Sequence, residues 1–142
     1  MTHRSKWDQR FFEMAYLVAS WSKDPSTQVG AVIVRPDKTV ASVGFNGFPQ
    51  WMDDHEDLYK DRSIKMSKII HAEMNALLFC KEPKDCILYT YPFPPCDRCA
   101  VHLIQAGIQR VVAPRHLPER WRESLSRALD FFDEANVEVT LL

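Results

Sequence analysis

The sequence carries the parts of one metal site in two places, and a fold that uses them has to close the gap. His71-Ala72-Glu73 offers an imidazole and a carboxylate, and Pro95-Cys96-Asp97-Arg98-Cys99 offers two thiols. One imidazole and two thiolates are borderline-to-soft donors that suit Zn²⁺, and three protein ligands leave the fourth tetrahedral position open to water. Glu73 is not required as a ligand. Standing two residues from His71, it is close enough to handle the protons of that water. The C-x-x-C spacing puts the two sulfurs about one turn apart, and Pro94-Pro95 stiffens the approach to Cys96.

The surrounding pattern indicates how the gap closes. Trp7, Phe11, Met14, Ala15 and Val18 recur at helical spacing, which predicts an amphipathic helix over roughly residues 5–21. Ser22-Lys23-Asp24-Pro25-Ser26 ends it with turn residues. Residues 29–34 read as a buried strand, 36–38 as a turn and 39–45 as the returning strand of a hairpin. A charge-rich stretch from about Asp53 to Lys68 reads as an exposed loop and helix whose charges face solvent. A helix beginning at Ser67 or Lys68 then carries His71, Glu73, Ala76, Leu77 and Leu78. Residues 85–91 form a strand, which the prolines at 92, 94 and 95 stop. A helix over about 96–106, with Gly107 placed to cap it, precedes a strand at 108–113. A long amphipathic helix at 118–135 and a short strand at 137–142 complete the chain. The order α-β-β-α-β-α-β-α-β implies an α/β fold, a mixed five-stranded sheet with helices on both faces.

The 142 residues, 46% of them hydrophobic, suffice for one domain, 1–142, with a packed core. No apolar run approaches the ~18 residues of a bilayer-spanning helix. The N-terminus from Met1 to Asp8 lacks the apolar stretch of a secretory leader. The expectation is a cytoplasmic protein with no membrane partner. In a reducing compartment four cysteines, two of them in C-x-x-C, point to metal or redox chemistry rather than disulfides. A net charge of −1 gives no basic footprint and disfavours a polynucleotide substrate. Cys80 and Cys86 read as small buried hydrophobes, and His55 and His116 as surface residues. The stripe Trp121, Leu125, Leu129, Phe132 reads as core or subunit interface.

His71 with Glu73, and Cys96 with Cys99, fall at the starts of two successive helices. Both N-termini can meet at one edge of the sheet, where their partial positive charge favours thiolates. Two readings of the metal remain at this level. His102, three residues beyond Cys99, lies on a neighbouring position of the same helical face and could close the site as a fourth, structural ligand. Against that, a closed site has no need of Glu73. A non-catalytic zinc-binding interaction module has no need of it either.

Taken together, H-x-E…P-C-x-x-C is a known signature of zinc-dependent base deaminases, matched here rather than newly found. The chain resembles the zinc-dependent cytidine/deoxycytidylate deaminase superfamily, most closely its deoxycytidylate (dCMP) deaminase branch. Four stretches carry the resemblance: residues 22–34, Gly44-Phe45-Asn46-Gly47-Phe48-Pro49, His71-Ala72-Glu73-Met74-Asn75-Ala76, and Pro95-Cys96-Asp97-Arg98-Cys99-Ala100 with residues 104–108. It implies the three-layer α/β/α cytidine-deaminase fold and one catalytic zinc per chain on His71, Cys96 and Cys99. Glu73 is implied as the proton shuttle for hydrolysis of dCMP to dUMP and ammonia. It also implies a pyrimidine nucleotide bound by Asn46 at the sugar, by the Ser22-Lys23 turn near the 5′ end, and by Ala72, Phe93 and Pro94 around the base. A positive Lys23 and free N–H groups in that turn suit a phosphate. A homo-oligomer, a hexamer in preference to a dimer, follows from the same resemblance.

The chain departs from the branch in three places. The segment Thr90–Pro95 is one residue longer than usual, Phe45 stands where regulated members have Tyr or Trp, and residues 49–68 are short and lack ligands for a second zinc. These leave open other cytosine nucleosides or nucleotides, including 5-substituted dCMP. A tRNA adenosine deaminase shares both motifs, but would call for a basic surface and aromatic groups around a flipped base.

Overall fold

The computed structural model describes residues 5–142; Met1 to Arg4, part of the N-terminal stretch read above, lie outside the described residues. Helix α1 (Lys6–Ala19) starts at Ser5, whose hydroxyl accepts the Asp8 N–H at 3.0 Å. Strands β1 (Gly30–Val34) and β2 (Val40–Phe45) form the hairpin. A short 3₁₀ turn (Glu56–Tyr59) and helix α2 (Arg62–Lys68) lead to α3 (Ala72–Leu78) and β3 (Ile87–Tyr91). Helix α4 (Asp97–Ala106) ends at Gly107 with φ of 92°, a left-handed cap that glycine adopts without strain. Strand β4 (Arg110–Ala113), a 3₁₀ turn (Glu119–Trp121), α5 (Arg122–Glu134) and β5 (Glu138–Leu141) follow.

One element differs from the sequence reading. The helix expected to begin at Ser67 or Lys68 and run through His71 is two helices with an extended break. Ile70 and Gly47 exchange backbone hydrogen bonds of 2.8 and 3.1 Å, an antiparallel bridge that takes the peptide groups a continuous helix would use. His71 therefore caps α3 in extended backbone (φ −67°, ψ 151°) instead of lying inside a helix.

The strand order is β2-β1-β3-β4-β5. β1 is antiparallel to β2 and β3, while β3, β4 and β5 run parallel, so the sheet is mixed as expected. Alternation along β1 divides the core in two. Val32 and Val34 face Phe11, Ala15 and Val18 of α1. Ala31 and Ile33 face the other layer, which holds Ala72, Ala76, Leu103, Ala128 and Phe132 of α3, α4 and α5. The result is three layers: α1, the sheet, then α3, α4 and α5. Gly30 and Gly44 bring helices directly onto the sheet: a Cβ at Gly30 would lie 2.1 Å from the Ala15 carbonyl oxygen, and one at Gly44 would lie 2.4 Å from the Ala76 nitrogen.

On the α1 side a buried polar cluster ties the first helix to the sheet. Arg110 donates to both Asp8 carboxylate oxygens at 2.9 and 2.7 Å, and the Tyr89 hydroxyl donates to Asp8 at 2.8 Å. Burial pushes the Asp8 carboxyl up, but these hydrogen bonds hold it below the usual carboxylate range.

The register fixes where a site can form. Gly30 pairs with Phe45 on one side and Tyr91 on the other, so the start of β1 and the ends of β2 and β3 share one edge. The loops after β2, β3 and β4 leave from this edge and lead to the N-termini of α3, α4 and α5, the usual place for a ligand in an open α/β sheet.

Candidate active site

At this edge His71 Nδ1 lies 3.4 Å from Cys96 Sγ and 3.3 Å from Cys99 Sγ. Zinc bonds of about 2.0–2.1 Å to nitrogen and 2.3 Å to sulfur at a tetrahedral angle put the two donor types about 3.6 Å apart. The three side chains thus fit one zinc ion closely, and they are the group among the described residues whose donor atoms converge for a metal. His102 is not with them: it is exposed, and its Nδ1 lies 2.8 Å from the Arg98 carbonyl oxygen. The closed four-ligand reading therefore lacks its fourth residue.

Local structure sets up these donors. Cys96 is the N-cap of α4, and its sulfur accepts the Cys99 N–H at 3.4 Å. Hydrogen bonding from the Cys99 thiol, opposed by burial and helped by His71, pulls the Cys96 thiol down to about 4. The same bond and burial push Cys99 up. The bond to Cys96, against burial, raises His71 to about 8. Zinc takes thiolates and a neutral imidazole, so its binding here displaces protons from this set. Glu73 is 3% exposed, and burial pushes its carboxyl up to about 7. A bound dication would lower it again.

The turn between the cysteines is braced from α5. The Ser124 hydroxyl donates to Asp97 Oδ1 at 2.8 Å and accepts the Asp97 N–H at 3.1 Å, while Arg127 donates to Asp97 Oδ2 at 2.7 Å. This joins the zinc-ligand turn to the helix that also supplies part of the cavity wall.

Glu73, His71 and Cys96 open into a cavity of about 290 Å³. Of the residues expected around the substrate, Asn46, Ala72 and Phe93 line it. Asn46 is held rigidly: its Oδ1 accepts the Val29 N–H at 2.9 Å, and its Nδ2 donates to the Thr27 carbonyl at 2.8 Å and to Asp24 at 3.2 Å. Ser22 and Lys23 do not line it but face an adjoining cleft. Ser22 donates to the Asn46 carbonyl at 2.8 Å, which makes it a brace for that loop. Lys23 is paired with Asp54 at 2.8 Å, and the Ser26 and Thr27 N–H groups are spent on Asp24 at 2.8 and 3.3 Å, so the turn is not the free donor set anticipated for a phosphate. Pro94 is fully buried and lies outside the cavity lining.

The other walls come from segments to which the sequence reading gave other roles. The stretch read as a solvated face contributes Arg62, Lys65 and Met66, and Ile69 follows just beyond it. Lys65 reaches in to Asp24 at 2.8 Å, a pair whose side chains are 18% and 2% exposed. Trp121, read as the first member of a core stripe, turns to the cavity. It packs against Phe93 with ring centres 5.1 Å apart, under the Arg120 guanidinium at 4.1 Å. Leu125 and Phe132 are buried as the stripe requires, and Leu125 reaches the cavity as well.

The comparisons with known proteins agree with this geometry. The family model for the cytidine and deoxycytidylate deaminase zinc-binding region matches residues 5–114. A protein of Aliivibrio fischeri described as an uncharacterized deaminase in the luxG 3′ region is 49% identical over 142 residues, covering 97% of this chain and 95% of that one. The deoxycytidylate deaminase of Mus musculus is 38% identical over 116 residues, which cover 75% of this chain and 64% of the mouse protein. The chain thus spans somewhat under two thirds of the length of that relative. Among solved structures, the dCMP deaminase of cyanophage S-TIM5 in complex with dCMP and dUMP superposes with a TM-score of 0.79 at 21% identity, over 99% of this chain and 100% of that one, which shows the shared fold. The chain belongs to the cytidine and deoxycytidylate deaminase family. It is a zinc-dependent hydrolase of that family, with His71, Cys96 and Cys99 as its converging metal donors.

Proposed function

We propose that the protein converts dCMP and water to dUMP and ammonia, residues 1–142 acting as one deaminase domain. The observation that carries this is Glu73, buried beside a three-donor zinc site and lining a cavity large enough for a pyrimidine. Zinc, when bound, supplies the Lewis acidity that makes water nucleophilic near neutral pH. Glu73 accepts a proton from the attacking water and delivers it to N3 of the ring as the C4–O bond forms. A second proton passes through the same carboxylate to the amino group as the C4–N bond breaks, so ammonia leaves and the 4-oxo pyrimidine remains. A buried carboxylate beside the reacting atoms can accept a proton in one step and return it in the next. Asn46, fixed by Val29, Thr27 and Asp24, presents the sugar side, and Ala72 and Phe93 border the base.

The test is ammonia release from dCMP, CMP, deoxycytidine, dCTP and 5-substituted dCMP. Highest kcat/KM on dCMP supports the reading; turnover confined to an adenosine-containing tRNA overturns it. Among the described residues no helix is long and apolar enough to cross a membrane, and the reading includes action in the cytoplasm as a homo-oligomer, a hexamer in preference to a dimer. Sedimentation showing only monomer at micromolar concentration would reject the assembly.

A further inference from the structure

The residues that line the cavity differ in burial and in charge. Among the lining residues Glu73 and Ala72 are buried, and the Lys65 ammonium is neutralised by the buried Asp24. Arg62, from α2, and Arg120, from the turn before α5, also line the cavity, and both are exposed to solvent. Neither has a carboxylate partner among the described residues. Arg120 is nevertheless placed: its guanidinium lies over the Trp121 ring, which in turn packs on Phe93. A cavity with a buried reacting carboxyl and two unpaired, solvent-exposed guanidiniums from separate elements suits a ligand that is flat and neutral at one end and anionic at the other.

The next step rests on the cytosine-nucleotide reading. In the cytosine ring the reacting C4 lies across from N1, which bears the sugar. Seating C4 beside Glu73 therefore sends the sugar and its 5′-phosphate away from that buried carboxyl. The geometry points to Arg62 and Arg120 as the subsite for that phosphate monoester and as the residues that set preference for the nucleotide over the nucleoside. The guanidinium fork matches phosphate oxygens two at a time, which an ammonium does not. Lys23, engaged by Asp54 in the adjoining cleft, has a lesser part.

Arg62→Gln and Arg120→Gln, each zinc-loaded, are expected to lower kcat/KM for dCMP about 10- to 100-fold, mainly through KM, while kcat/KM for deoxycytidine stays within about threefold. Arg62→Lys and Arg120→Lys should recover part of the loss. Lys23→Gln serves as the comparison, and a larger dCMP-selective loss there than at either arginine overturns the assignment. So does an equal loss on dCMP and deoxycytidine, which marks a structural role. Calorimetry with 2-deoxyribose 5-phosphate, which has the anion and no base, separates this inference from the base reading. Binding by the wild-type protein that is abolished in both glutamine variants supports the subsite even if no cytosine compound is turned over. Absence of binding, or binding unchanged in the variants, overturns it even if dCMP proves to be the substrate.

Discussion

Replacing Gly44 by alanine should damage chemistry more than its distance along the chain from the metal motifs suggests. The added Cβ would sit 2.4 Å from the Ala76 nitrogen and 2.5 Å from the Ala72 carbonyl oxygen, both backbone atoms of α3. Ordinary contact starts near 3.4 Å, so α3 must lift from β2 by about 1 Å, because backbone cannot swing aside as a side chain can. Overpacking of this kind costs about 1–3 kcal/mol, which in a domain of this size lowers Tm by roughly 3–10 °C. Helix α3 also carries Glu73 and is capped by His71. A reacting group misplaced by about 1 Å forfeits on the order of 10²-fold in rate.

Gly30→Ala supplies the control, because its Cβ would meet the Ala15 carbonyl oxygen at 2.1 Å and the Ala19 nitrogen at 2.5 Å, on α1 and so on the opposite face. It should cost at least as much stability. The rate per folded, zinc-loaded molecule should stay within about threefold of wild type. The assay is a thermal melt, zinc content and kcat on dCMP for both variants. Wild-type Tm and kcat in Gly44→Ala would refute the close-packing argument. An equal loss of kcat in the two variants would refute the claim that the seating of α3 in particular sets the chemistry.

Glu73→Gln should keep its zinc and fold but lose about 10²–10⁴-fold or more in kcat, since an amide neither accepts the water proton nor delivers one; a rate above about a tenth of wild type removes Glu73 from the mechanism. Cys99→Ala should lose both zinc and stability, read by metal analysis and melting, because the metal's binding free energy is part of folding. Asp97→Ala unties the cysteine turn from Ser124 and Arg127 and should weaken zinc binding about 10- to 100-fold in competition with a chelator. Asp8→Asn removes the buried charge that Arg110 pairs with, leaving it Thr140 and the exposed Glu138 at 3.9 Å, and should cost about 3 kcal/mol near neutral pH, measured by urea unfolding. Because the folded-state carboxyl lies below its unfolded value of 3.8, that contribution is complete above pH 3.8, fades as pH falls through the folded value, and so the gap between variant and wild type narrows in acid.

Local pattern carried the fold a long way, for reasons visible in particular residues. The hairpin was legible because turn chemistry at Pro36-Asp37-Lys38 separates two short apolar runs, and Lys38 does adopt a positive φ of 71°. The cap at Gly107 was legible because few residues tolerate its backbone. The start of α3 was not legible. Residues 62–78 have no proline or glycine to mark a break, and what interrupts the helix is the Ile70–Gly47 bridge, a contact between residues far apart in sequence. Such a contact leaves no trace in a window of neighbouring residues.

The same division runs through the site, and it separates reaction from substrate. The metal donors and Glu73 are close neighbours within two motifs, so the spacing alone exposes them. The cavity walls are assembled from the loop before β1, from α2 and from residues 120–125, whose proximity exists only after the strands take the order β2-β1-β3-β4-β5. Lys65 shows the consequence. In the sequence it is one charge in a polar run, yet in the fold it neutralises a carboxylate, Asp24, that also receives the Asn46 amide. Arg62 and Arg120 show the converse, since nothing close in sequence distinguishes them from surface arginines, and it is the cavity between them that gives them a ligand to meet. Motif spacing therefore constrains what bond is broken, while tertiary assembly constrains what molecule is admitted. Substitutions in the walls should accordingly redirect substrate choice with zinc content unchanged, and substitutions in the motifs should abolish turnover of every substrate alike.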